Sequence, residues 1–153
     1  MRKLYRPALL ATLLLCGCAP SVKDLQDQSQ LSGANNAVLM ANYQNAEKLL
    51  GQYVYRDRSG RLKVRSVGIS ADNRKHAIDT VVQLLWETGR DESLQQFAGE
   101  YLTGREYQTT MCRISERQAR FEEAYHCWND MGEATRAERV IATEAALQIL
   151  GSP

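Results

Sequence analysis

From residue 37 onward, apolar side chains recur every three or four positions, with one interruption. Asn36 reads as a helix N-cap, and Val38, Leu39, Ala41, Asn42, Ala46, Leu49 and Leu50 follow at helical spacing to Gly51. The interruption is residues 52–70. There Tyr53-Val54-Tyr55 and Leu62-Lys63-Val64-Arg65 flank Asp57-Arg58-Ser59-Gly60. Aromatic and β-branched residues on either side of a Ser-Gly turn predict a small β-hairpin. A two-stranded hairpin is marginal alone in water, so it is expected to lie on helices. Beyond Ala71 the helical period returns, with Asp72 or Asn73 as the expected cap. Ile78, Val81, Val82 and Leu85 form one stripe, and Leu94, Phe97, Ala98, Tyr101 and Leu102 a second. Tyr107, Met111 and Ile114 form a third, and Phe121, Ala124, Tyr125, Trp128 and Met131 a fourth. Ala137, Val140, Ile141 and Leu147 mark the last, and Gly89, Gly104 and Gly132 stand at boundaries as C-cap glycines do.

The expected fold is therefore mainly α: short antiparallel helical hairpins, as a solenoid or bundle, with a small β-hairpin insertion. The helical domain spans residues 37–153. Residues 18–36 are polar and short of large apolar groups. They read as a flexible tether with at most a short frayed helix over Val22–Leu31. Helix boundaries recur at roughly 15-residue intervals, the mark of stacked hairpins. Arg120-Phe121-Glu122-Glu123-Ala124, with Trp128 four residues on, resembles the second helix of a tetratricopeptide repeat. Gly89-Arg90-Asp91-Glu92-Ser93-Leu94 is a looser match. The resemblance implies helical hairpins whose concave face takes up a protein partner.

The start of the chain has a different pattern. Arg2, Lys3 and Arg6 precede the apolar run Pro7–Leu15, and Leu15-Cys16-Gly17-Cys18 follows. A basic segment followed by an apolar run too short to span a bilayer is a secretory signal. Its last four residues resemble the lipobox of bacterial lipoproteins. That resemblance implies cleavage after Gly17, so that residues 1–17 are signal peptide, and acylation of Cys18. The lipid would be the membrane anchor. In the enterobacterial sorting rule, Asp directly after the lipidated Cys retains a protein in the inner membrane. Ala19 stands there, so the expected location is the outer membrane, facing the periplasm.

Charge narrows the partners. Removing residues 1–17 takes Arg2, Lys3 and Arg6 from 19 basic residues and nothing from 18 acidic ones, leaving a net charge near −2. No nucleic acid is expected as a partner from that balance. Cys112 and Cys127 remain, and in an oxidising periplasm a lone pair is most simply a disulfide. The midpoint between them falls between Ala119 and Arg120. A turn there would set the two sulfurs across one antiparallel hairpin, as disulfide geometry requires.

Catalytic chemistry is not expected, nor any metal or cofactor. His76 and His126 are the two histidines. His126 adjoins Cys127, but neighbouring helical residues point about 100° apart, and a disulfide would consume the thiol. No phosphate loop, zinc spacing, calcium loop or Gly-x-Ser-x-Gly elbow is present. The notable polar feature is Arg56, Arg58, Arg61, Lys63 and Arg65 in the hairpin, countered by Asp57. Arg61, Lys63 and Arg65 alternate to one strand face and form a candidate contact for an anionic partner. The competing account is a solvated face that keeps a strand edge from pairing. The aromatics Trp86, Phe97, Tyr101, Tyr107, Phe121, Tyr125 and Trp128 read mostly as core. Together these features point to a lipid-anchored adaptor or assembly factor for an envelope protein complex of the secretion, pilus or conjugation type. An inhibitor or exclusion lipoprotein and a cell-wall binder are the alternatives.

Overall fold

Ser21 opens the first helix: its hydroxyl accepts the backbone N–H of Asp24 at 3.1 Å and satisfies one otherwise orphaned donor. The computed structural model describes residues 21–151. Seven helices and a two-stranded antiparallel hairpin lie among them. In chain order these are α1 (Val22–Leu39), α2 (Tyr43–Leu50), β1 (Val54–Arg56), β2 (Leu62–Val64), α3 (Ala71–Glu87), α4 (Asp91–Tyr101), α5 (Gly104–Arg117), α6 (Phe121–Asp130) and α7 (Ala134–Gly151). The expected mainly α fold with a small β insertion is what the chain forms. The signal peptide and Cys18 lie outside the described residues.

The tether reading is corrected. Val22–Leu39 is a full helix packed on α2 and α3, so the folded domain begins before residue 37. Its buried face is Asp27, Leu31, Ala34, Ala37 and Val38. Small residues let α1 approach its neighbours closely: a Cβ on Gly33 would already touch the Leu49 side chain at 3.7 Å. Polar groups lock the contact, with Gln30 donating to the Leu49 carbonyl at 3.0 Å and the Tyr53 hydroxyl meeting Asp27 at 3.1 Å. Asn36 is inside α1 and is not a cap. The cap is Asn42, which receives the Asn45 N–H and starts α2. At α3 the cap is Ser70, while Asn73 is buried and donates to the Asp24 carbonyl at 3.0 Å.

Three helix pairs, α1–α2, α3–α4 and α5–α6, share one turn. The middle residue has positive φ: Ala41 at 56°, Gly89 at 66° and Ala119 at 56°. The next residue has φ and ψ of −90° and 65° at Asn42, −86° and 60° at Arg90, and −85° and 67° at Arg120. That residue's N–H returns to a carbonyl five positions back: Asn42 to Ala37, Arg90 to Leu85 and Arg120 to Ser115. This satisfies carbonyls that a helix end leaves bare. The turn at Ala119 is the one placed from the cysteine midpoint. Gly132 ends α6 in the same way, whereas Gly104 begins α5 instead of ending a helix. Helices α3, α5 and α7 begin at residues 71, 104 and 134, spacings of 33 and 30 residues.

Two apolar clusters result. The larger joins α1–α4 and the hairpin around Leu31, Val38, Leu85, Leu94 and Phe97. The smaller gathers Cys112, Ala124, Trp128, Ala137 and Val140 from α5, α6 and α7. Helix α5 serves both, since Ile114 packs into the first and Cys112 into the second. Each fully buried aliphatic side chain contributes roughly 2 kcal/mol. Ile141 and Leu147, expected in the core, are 43% and 53% exposed. The 10-residue α6 is too short to cover the 18-residue α7 to its end.

Candidate functional site

The hairpin forms in the register Val54 to Val64, Tyr55 to Lys63 and Arg56 to Leu62. Asp57 builds its turn, with one carboxylate oxygen accepting the N–H of Ser59 at 2.8 Å and of Arg61 at 3.0 Å. The Ser59 hydroxyl, above all, and these backbone donors hold the Asp57 carboxyl down at about 2. The basic residues of the hairpin meet different fates. Lys63 reaches down to both carboxylate oxygens of Glu100 on α4, at 2.7 and 2.5 Å, and to Asp57 at 3.8 Å. The Val64 N–H donates to the Tyr101 hydroxyl at 3.0 Å, so two contacts pin β2 to α4. Arg61 is tied to Asp57 and Ser59, and Arg56 donates to the Gly60 carbonyl. Arg65 stacks on Tyr55 at 5.6 Å, and Arg58 is exposed at the turn. The expected row of three cations is thus divided: Lys63 clamps the hairpin, while Arg61 and Arg65 stay at the surface.

Cys112 and Cys127 are joined, with Cα atoms 5.5 Å apart, across the α5–α6 pair. Cys112 is fully buried, and its sulfur lies 3.6 Å from the Met131 sulfur. The bond leaves no thiolate beside His126, whose ring meets Tyr125 edge-on at 5.3 Å. His76 is half-buried on α3, where its backbone carbonyl accepts the Thr80 hydroxyl. The histidines stand 50 positions apart in sequence, on α3 and α6. Among the described residues no group of three His, Cys, Asp or Glu side chains could hold a metal ion. No described helix is long and apolar enough to cross a membrane.

A second basic region was not anticipated. Arg113 and Arg117 on α5 face Arg136 and Arg139 on α7 across a groove of about 670 Å³, with Trp86 at one edge. Trp86, expected in the core, is half-buried under two guanidiniums, Arg113 at 4.0 Å and Arg117 at 3.7 Å from its ring centre. Arg136 stacks on Trp128 at 3.8 Å and meets Glu116 at 3.3 Å. Glu116 also accepts the Trp128 indole N–H. Arg117 bonds to Asp91 and to the Trp86 carbonyl. Burial, and then the charge of Arg136, push Arg113 below the ordinary arginine value. In the sequence these arginines look like the solvated side of two helices. Their i, i+4 and i, i+3 spacing was the available signal, but only tertiary packing turns the two pairs toward one another.

No family model, no curated protein and no solved structure matches this chain.

Proposed function

We propose that this protein is a lipid-anchored periplasmic adaptor of an outer-membrane protein complex, and that it acts by binding and not by catalysis. The observation that carries the reading is the run Arg2, Lys3, Arg6, Pro7–Leu15 and then Leu15-Cys16-Gly17-Cys18. Acylated at Cys18, the chain would be held at the membrane by buried methylenes worth roughly 0.8 kcal/mol each. The anchor confines the helical domain to a thin layer, which raises its effective concentration near a membrane partner. Helical hairpins of tetratricopeptide type would supply the partner surface, and the Cys112–Cys127 bond suits an oxidising compartment. Adaptor function is preferred to cell-wall binding because Lys63, the centre of the hairpin's cationic row, is taken up by Glu100.

The test is crosslinking in cells followed by capture through a C-terminal tag, beside a Cys18→Ser copy. Recovery of an outer-membrane complex component, lost in the Cys18→Ser copy, is the expected result. Recovery of one soluble periplasmic protein, retained in that copy, would replace the adaptor with the inhibitor reading.

A further inference from the structure

We infer that the groove between α5 and α7 is a docking site for an acidic segment of a partner protein, whose carboxylates are taken by Arg113 and Arg139. This deepens the adaptor reading and rests on it for the partner's being a protein of the same compartment. The inference begins with an unbalanced charge. Four guanidiniums line the groove, while Glu116 is its one carboxylate. Asp91 answers Arg117 and Glu116 answers Arg136. Arg113 and Arg139 make no direct ion pair with a carboxylate among the described residues, and Glu116 and Glu87 act on Arg113 only at longer range. Arg113 is half-buried, stacked on Trp86 and crowded by the charge of Arg136. A desolvated cation beside another cation is a cost that an incoming anion relieves.

The geometry selects the anion. Arg113 lies over the Trp86 ring with its guanidinium carbon 4.0 Å from the ring centre, and a guanidinium held over an aromatic face keeps N–H donors with which it can take a carboxylate bidentately. Arg113 and Arg117 are one helical turn apart, about 6 Å along α5, and Arg136 and Arg139 run beside them on α7. The two arginines without a direct ion pair, Arg113 on α5 and Arg139 on α7, sit on different helices and fit successive side-chain carboxylates better than the single phosphate of one lipid headgroup. The α7 face that bears Arg136, Arg139 and Val140 continues at helical spacing to Leu147 and Leu150. Those leucines are 53% and 82% exposed. The occupant is therefore a segment with acidic residues at one end and aliphatic residues at the other. Charge complementarity sets its direction along α7.

The experiment titrates the full chain, in neutral detergent, into a fluorescein-labelled peptide of four glutamates followed by two leucines, read by anisotropy. Saturable binding is expected, weakened at least tenfold in Arg113→Gln/Arg139→Gln and within twofold of wild type in Arg58→Gln/Arg65→Gln. If the double variant does not fold by circular dichroism, the exposed Arg139→Glu alone must give the tenfold loss. The proposal is overturned by absent binding, by equal binding in the folded groove variant, or by short-chain phosphatidylglycerol competing better than free peptide. The two levels of the account separate in cells. A partner lost in Cys18→Ser but retained in the groove variant overturns the groove and leaves the adaptor. Peptide binding through the groove with no partner captured from the envelope overturns the adaptor and leaves the groove.

Discussion

Replacing both Cys112 and Cys127 by Ala removes the covalent tie between α5 and α6 and should cost about 3 kcal/mol. The bond closes a loop of sequence separation 15, and the chain-entropy relation gives about 3 kcal/mol for a loop of that length. Alanine is the right replacement, because Cys112 is fully buried and a serine hydroxyl there would lack a partner. The cluster that holds α5, α6 and α7 together has few buried members, Cys112, Ala124, Trp128, Ala137 and Val140. It has little apolar area with which to offset the loss. For a domain of this size, 3 kcal/mol corresponds to a fall in Tm of about 10 °C, measured by far-UV circular dichroism. Wild type held in dithiothreitol should fall to the same temperature. Amide exchange should rise in α6 and α7 before α3, since only the smaller cluster loses its staple. A double variant that melts within about 2 °C of oxidised wild type would refute the reasoning and show the α5–α6 pair to be held by packing alone.

Three further outcomes follow from the fold. Leu31→Ala should cost about 3 kcal/mol in chemical denaturation, because Leu31 is fully buried between α1 and its neighbours; a detached α1 would give no change. Ala119→Gly should stabilise by about 0.5–1 kcal/mol, since alanine at φ 56° bears a left-handed penalty that glycine lacks; a loss of stability would contradict that turn geometry. Burial, with the Asp27 hydrogen bond, raises the Tyr53 hydroxyl to about 12. Its contribution is complete below the ordinary tyrosine value near 10 and is lost as pH rises through about 12. Tyr53→Phe should remove that part of the alkaline stability loss, and an unchanged alkaline profile would contradict it.

What could be read from the sequence depended on side-chain size. Helix α6 was legible because Phe121, Ala124 and Trp128 set large and small residues at one spacing, and Ala124 and Trp128 are buried there. The hairpin was legible from Asp57-Arg58-Ser59-Gly60, where Asp57 organises the turn. Helix α1 was not, because half of its apolar buried face is alanine, Ala34 and Ala37 beside Leu31 and Val38. Such a stripe scarcely rises above a polar background, although it buries well when a neighbour comes close. The turns at Ala41 and Ala119 carry no turn residue; backbone hydrogen bonds to Ala37 and Ser115 hold alanine where glycine is usual. The cationic hairpin was visible in sequence, but the Glu100 that takes Lys63 is 37 residues away. The groove was invisible for the same reason: Arg113 and Arg139 come together through the packing of α5, α6 and α7.

The anchor is the premise of the functional reading, and the mass of the mature N-terminal peptide tests it most directly. Protein recovered from the membrane fraction should yield a peptide that begins at Cys18 and carries the mass of a diacylglyceryl group and an amide-linked acyl chain. The Cys18→Ser copy should leave that fraction. An unmodified N-terminus at any other residue, or membrane retention of Cys18→Ser, would contradict the account.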